Sequence, residues 1–192
     1  VSEIAFLIIY SKSYTLKPYL TFETDRLLLR PTEEGDADFI LALLNTDKWL
    51  KYIGDRQVYN SEDAIQYIRQ RMTPQLERLG YSNYTLLRKA DGAKMGVCGL
   101  YDRDGLTGVD LGFAILPDYE GQGYSYEASY RMLQAGLEDF GLKQINAITT
   151  TDNIASQKLL EKLGFQYVRM ISVKGDEEEL RLYEFKSLLM GK

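Results

Sequence analysis

The chain has 192 residues, 45% of them apolar and 27% charged, with a net charge of −5 and a pI near 4.9. That length suits one domain with a sizeable core, and the acidic balance argues against a nucleic-acid surface while slightly favouring cationic small molecules or basic peptides. Histidine is absent and cysteine occurs once, at Cys98, which excludes Ser-His-Asp and Cys-His catalysis, imidazole bases, an internal disulfide and a cysteine metal cluster.

Ile4 to Tyr10 is an apolar run too short to span a bilayer. It has no basic segment before it and no small-residue cleavage site after it, so it does not read as a signal peptide. Residues 1–20 are taken as an N-terminal extension and 21–188 as the folded domain. With Cys98 set in the apolar run Met95 to Tyr101, a buried structural thiol in a reducing cytoplasm is expected.

Thr21 to Arg30, with Leu27, Leu28 and Leu29, predicts a first strand closed by Pro31. Asp36 is placed to cap a helix whose apolar face is Phe39, Ile40, Leu43 and Leu44. A short segment around Trp49 and Tyr52 then packs in the core or walls a pocket. Ser61 is the expected cap of a longer helix with the stripe Ile65, Ile68, Met72, Leu76 and Leu79. Pro74 should kink or break it near Thr73, and Gly80 should end it.

Three strands follow as a meander over 84–89, 94–101 and 107–116, with turns at Asp91-Gly92 and Asp104-Gly105. A helix over 123–140, a strand over 144–151 and a helix opened by Asn153 and ended by Gly164 come next. A hairpin of 165–173 and 179–186 around Lys174-Gly175-Asp176 closes the chain. This order predicts a mixed α/β (α+β) domain, antiparallel in its first half, with a parallel strand pair on either side of the 123–140 helix.

The most informative stretch is Ile115 to Ala128, Ile-Leu-Pro-Asp-Tyr-Glu-Gly-Gln-Gly-Tyr-Ser-Tyr-Glu-Ala. Pro117 ends a strand, and Tyr126, Tyr130, Leu133 and Leu137 recur at helical spacing. Gly121 and Gly123 between them let the backbone turn tightly and approach a ligand. A helix N-terminus behind such a turn is a natural seat for a phosphate. Taken alone, the pair also reads as a plain strand-to-helix turn. The third glycine of a dinucleotide fingerprint is missing, and so is the Gly-Lys-Ser/Thr of a P-loop.

Three segments in order carry a family likeness. Thr24 to Pro31 (Thr-Asp-Arg-Leu-Leu-Leu-Arg-Pro), Leu116 to Ala128, and Asn153-Ile154-Ala155-Ser156 with Glu161 to Phe165 resemble motifs of the GNAT superfamily of N-acetyltransferases. The likeness is closest to the RimJ/RimL-like branch, which acetylates N-terminal alanines of ribosomal proteins, and it covers about Thr21 to Lys186. It implies the GNAT fold: a mostly antiparallel twisted sheet with helices on both faces and a splayed central parallel pair, here 107–116 and 144–151.

It further implies acetyl-coenzyme A as cosubstrate, lying in the gap between those strands, with no metal. The pantetheine arm would follow the backbone of Ile115 and Leu116. The diphosphate would rest on the amides of Gly121, Gln122, Gly123, Tyr124 and Ser125, and Asn153 and Ser156 would touch the coenzyme from the second motif. The acceptor would be a primary amine, on a protein or peptide N-terminus or a small molecule, and neither nucleic acid nor membrane is an expected partner. Which amine is acetylated, and whether the chain pairs with itself as a homodimer, is left open by the sequence.

The chain departs from the family pattern at three positions. Glu120 puts a carboxylate in the phosphate loop, which is unfavourable unless it points outward. Ser125 replaces a smaller residue. Leu160 stands where many members carry a tyrosine acid, so the resemblance shifts the acid role to Ser156, whose alternative is a plain first-turn hydroxyl. Asp110 stands where the branch has a glutamate and is the candidate base, acting through water; its alternative is a salt-bridged strand carboxylate. The acidic run Asp176 to Glu179 could steer a cationic acceptor or simply be solvated. An acyl-coenzyme A-binding module without transferase activity is the second reading of the whole chain.

Overall fold

Alternating apolar residues in the first half of the chain form a meander in the computed structural model, which describes residues 19–173 and 179–186. Most of the predicted extension, residues 1–18, and the hairpin tip 174–178 with most of the acidic run lie outside the described residues. In chain order the elements are β1 (Phe22–Glu23), β2 (Leu27–Pro31), α1 (Ala37–Leu44), α2 (Asp47–Tyr52), α3 (Ser61–Tyr67), α4 (Thr73–Leu79), β3 (Asn83–Arg88) and β4 (Lys94–Asp102). They continue with β5 (Val109–Ile115), α5 (Tyr124–Glu138), β6 (Gln144–Thr149), α6 (Ile154–Lys162), β7 (Gln166–Ile171) and β8 (Leu180–Lys186). The strands make one sheet in the order β1-β2-β3-β4-β5-β6-β8-β7. Among the described strands, only β5 and β6 run parallel.

Each face of the sheet carries its own helices and core. On one face Leu86, Cys98, Leu100 and Leu111 pack against Ala128, Met132, Leu133 and Ala135 of α5, and Leu160 of α6 is buried in the same cluster. A Cβ on Gly136 would stand 2.5 Å from Ile145 Cδ1, so glycine there lets α5 close on the strand. Cys98 is fully buried, and burial pushes its thiol up to about 12, which makes it a packing residue. On the other face Val97 meets Ile40, Leu43, Trp49, Ile68 and Met72. No helix among the described residues is long and apolar enough to cross a membrane.

Several local expectations are corrected. The first strand is two strands, because Thr24 and Arg26 leave the ladder to bind Glu127 of α5. Pro31 remains in the ladder opposite Tyr84 as the last residue of β2. Asn60, not Ser61, caps α3, its side chain accepting from the Asp63 N–H. Pro74 does not break the long helix. A π-helical turn over 68–72 precedes it, so the proline falls in the first turn of α4, where its missing N–H costs nothing. Asp36 makes no cap bond to α1; its carboxylate is taken by Arg30 and Lys94.

The parallel pair is short. Val109 faces Ile145 and Asp110 faces Asn146, and no further pairing joins β5 to β6. Beyond that point β5 stays in register with β4 up to Ile115 opposite Gly96. β6 stays with β8 up to Thr149 opposite Arg181. Each strand is held by its outer neighbour, so a gap opens between them. This is the splay expected between 107–116 and 144–151.

Candidate active site

The gap has a polar wall. Leu116 donates its N–H to Met95 C=O at 2.8 Å and accepts from the Tyr119 N–H at 3.0 Å. Alternation along β5 therefore turns the peptide groups of Phe113 and Ile115 toward the open side. The Ile115 backbone thus faces the gap. Leu116 has both peptide groups occupied and contributes apolar wall instead, its side chain packing on the α1–α4 side.

At the open end the chain turns into α5. Gly121 has φ 68° and Gly123 has φ 82°, conformations that favour glycine. The Gln122 side chain donates to Asp118 C=O at 3.0 Å, and its own carbonyl accepts from Arg26 Nη1 at 3.0 Å. Tyr124 and Ser125 open the helix, and Glu127 N–H donates to Gly123 C=O at 3.1 Å. The amides of Tyr124, Ser125 and Tyr126 lie ahead of that first bond, so they are free to bind an anion. Arg26 adds a fixed cation. Its Nε donates to Glu127 at 2.6 Å and its guanidinium lies 4.2 Å from the Tyr124 ring centroid. Glycine backbones, helix amides and an arginine together fit a diphosphate.

The loop's carboxylate is compensated. Glu120 pairs with Lys48 of α2, and Lys51 of the same helix pairs with Asp152 at 2.9 Å. One helix thus ties down both loops that frame the gap, the one after β5 and the one after β6. Lys48→Ala would leave Glu120 uncompensated beside the anion seat. Acetyl-coenzyme A affinity is expected to fall by about two- to fivefold at low salt, the scale of a partly exposed pair. The loss should shrink at high salt and be relieved in Lys48→Ala/Glu120→Gln. Titration calorimetry at two salt concentrations checks this.

Across the gap, Asn153 caps α6 by accepting from the Ser156 N–H at 3.1 Å. The Ser156 hydroxyl makes no hydrogen bond among the described residues and is half-buried. Gln157 anchors this start by donating to Thr150 C=O at 3.1 Å and Thr151 C=O at 3.0 Å. Leu160, at the position of the missing tyrosine, is a core residue with 1% exposure.

Asp110 and Asn146 are the last paired residues, so Asp110 stands at the apex of the splay. It is 1% exposed. Arg103, seven residues earlier, donates from Nε to Oδ1 and from Nη2 to Oδ2, both at 3.0 Å. Burial raises the Asp110 pKa, and Arg103 opposes that rise. Asn146 donates from Nδ2 to Thr107 C=O at 2.8 Å and accepts from Gln144 at 3.1 Å. A cavity of about 260 Å³ opens beside Asn146, lined by Thr107, Gln144, Arg169, Leu182 and Glu184 among others.

The structure therefore gathers Gly121 to Ser125 with Asn153 and Ser156 around the open end, and sets Asp110 apart at the apex. Sequence reasoning missed Arg103, Asn146 and Lys48. Only the lone carboxylates at 110 and 120 hinted that buried or bridging partners were needed.

The chain belongs to the acetyltransferase (GNAT) domain family, which matches residues 26–166. The uncharacterized N-acetyltransferase YoaA of Bacillus subtilis (strain 168) is 30% identical over 145 residues, covering 75% of this chain and 81% of YoaA. The uncharacterized N-acetyltransferase YjdG of the same organism is 31% identical over 150 residues, covering 74% of this chain and 88% of YjdG. Among solved structures, RimL, a ribosomal L7/L12 α-N-protein acetyltransferase in complex with coenzyme A, superposes with a TM-score of 0.74 at 16% identity, over 87% of this chain and 98% of that one. The fold is shared, and this chain is an N-acetyltransferase of the GNAT class.

Proposed function

We propose that the protein transfers an acetyl group directly from acetyl-coenzyme A to a primary amine, on a protein or peptide N-terminus or a small molecule. The observation that carries this reading is the run of free amides behind Gly121 and Gly123, set at the mouth of the β5–β6 gap. In it, Gly121 to Ser125 and Arg26 hold the diphosphate, Ile115 offers backbone to the pantetheine arm, and Leu116 and Asn153 wall the groove. Bound there, acetyl-coenzyme A supplies the activated acyl carbon.

The chain's own residues then manage protons. Asp110, acting through water at the apex, takes the proton that the amine nitrogen loses as it bonds the acyl carbon. The electron pair of the broken carbon–sulfur bond stays on sulfur, and Ser156 delivers a proton to it from its hydroxyl. Backbone N–H groups on the open side of β5 face the oxygen that gains charge. Ser156→Ala is expected to lower turnover by about tenfold or more, or 1.4 kcal/mol and upward, with a smaller loss of acetyl-coenzyme A affinity. A loss well under tenfold would remove it from the acid role.

The experiment for the reaction itself is acetyl-coenzyme A-dependent release of free thiol over a panel of amines and short peptides. Release with at least one acceptor supports the transferase. Heat protection by coenzyme A with no release from any acceptor would favour the second reading, an acyl-coenzyme A-binding module, which the loss of a tyrosine at position 160 supports.

A further inference from the structure

The sheet face turned away from α5 carries its helices on one side only. Val109, Leu111, Ile145 and Ala147 belong to the α5 core, so alternation turns Asp110 and Asn146 to the opposite face. The register extends that row: Asp110 lies opposite Asn146, and Asn146 lies opposite Glu184 of β8. The α1–α4 core reaches this face at Val97 and Ala114. Over β6, β8 and β7 the cluster is Ile171, Val173, Leu180 and Leu182 with Leu106 and Ile148, and no helix residue joins it among the described residues.

The cavity of about 260 Å³ opens on this uncovered side, with Thr107, Gln144, Asn146, Arg169 and Glu184 in its wall. Asn146 stands one strand spacing, about 4.8 Å, from Asp110, so the cavity borders the apex of the splay. The carboxylates of the row are both taken, Asp110 by Arg103 at 3.0 Å and Glu184 by Lys186 at 3.1 Å. Arg169 comes from β7, is exposed, and makes no hydrogen bond or ion pair among the described residues. The charge left over in this wall is one guanidinium, although the chain as a whole carries −5. A guanidinium fork matches a carboxylate. A monoanion also suits the neighbouring Glu184 better than a phosphate dianion, which that carboxylate would repel. The volume is near the lower end of small-molecule sites, about 300–1,000 Å³, and fits a group of amino-acid size.

We propose that this cavity takes the acceptor and that the acceptor is a small amino acid: its carboxylate pairs with Arg169, and its amine reaches across Asn146 toward Asp110. The assignment rests on the reading of the chain as a transferase that deprotonates the amine at the apex. It narrows the acceptor from any primary amine to one whose carboxylate stands a few bonds away, and it reverses the preference for cationic acceptors that the overall charge suggests.

The test is acetyl-coenzyme A-dependent thiol release by the full chain over matched acceptors. These are α- and ω-amino acids, each beside its carboxamide, which keeps the amine and removes the negative charge. In at least one pair kcat/KM should be about tenfold or more higher for the acid, the scale of one charge-assisted contact. Arg169→Gln should erase most of that preference, through KM rather than kcat. Arg169→Lys should restore part of it, since a point charge remains without the fork. Carboxamides used as well as the acids in every pair overturn the proposal. So does an acid preference that Arg169→Gln leaves unchanged, or release from amines and peptides outside the panel with none from either member of any pair. Each of these results leaves the transferase standing, whereas release from no amine at all overturns both.

Discussion

Asp110→Asn is expected to lose about 10²- to 10⁴-fold in kcat/KM at neutral pH, the range of a removed general base. The expectation comes from where the carboxylate sits. It is the last paired residue before β5 and β6 part, so it meets the gap at its narrowest point. Arg103 holds both oxygens from one side, leaving the remaining lone pairs for a water. Burial lifts its pKa above the usual 3.8, with Arg103 limiting the rise. Only the deprotonated form accepts a proton. The wild-type rate should therefore fall as pH drops through that raised value, and this limb should vanish in the asparagine variant. Asparagine keeps the shape and can still accept from Arg103, so a thermal melt of the variant separates lost charge from lost fold. If Asp110 is only the strand half of an ion pair, the variant melts lower but keeps its turnover and its pH profile at a temperature where it is folded.

The largest stability effect is expected at Asp36→Ala, about 3–5 kcal/mol, the cost of orphaning a buried ion pair. The side chain is fully buried. Arg30 donates to both of its oxygens at 2.7 Å, Lys94 approaches to 2.7 Å, Thr85 donates at 2.9 Å and the Glu33 N–H at 3.1 Å. Burial alone would raise its pKa, but the bonds from Arg30, Lys94, Glu33 and Thr85 outweigh that and hold it at about 2. A carboxylate lowered in the folded state stabilises fully above its ordinary 3.8 and loses that contribution as pH falls through about 2. The gap in urea midpoint between wild type and Asp36→Ala should thus be constant at neutral pH and narrow as pH approaches 2. A gap equivalent to less than about 1 kcal/mol at pH 7 would contradict this account, since that is the scale of an exposed pair.

The damage should reach the site. Thr85 contacts Thr32 at 2.9 Å, Asn83 donates to Thr32 at 2.7 Å, and Tyr101 donates to Asn83 at 2.5 Å. Tyr101 lies opposite Asp110 in the sheet. This buried polar chain crosses β2, β3 and β4 and ends beside the proposed base.

Much of the fold was legible in the sequence because apolar period and turn residues decide it locally. Asp91-Gly92, Gly80 and Gly164 mark ends that the structure keeps, with Gly80 at φ 80° closing α4. The glycine turn and the Asn153 cap were legible for the same reason: φ above zero and an N-cap bond are properties of a few neighbouring residues. What was not legible depends on pairing over long sequence separations. Asp36 looked like a cap because capping is local, while its true partners, Arg30 and Lys94, come together only when β2 and β4 flank β3. Glu120 looked misplaced for the same reason, since Lys48 is 72 residues away in sequence. Pro74 looked like a break because a π turn ahead of it leaves no periodic trace. The splay itself follows from β5 and β6 each preferring an outer neighbour, and no single segment encodes that.

The Gly121–Ser125 turn at the mouth of the β5–β6 gap is the proposed seat of the acetyl-coenzyme A diphosphate. The most direct measurement is titration calorimetry of acetyl-coenzyme A into the full chain and into Gly123→Val, a substitution that strains the φ of 82° and sets a side chain against Arg26, 3.5 Å from the new Cβ. Saturable 1:1 binding by the full chain is predicted, reduced by about a hundredfold or more in the variant, or some 2.7 kcal/mol. No binding by the full chain, or equal affinity in folded Gly123→Val, would contradict it.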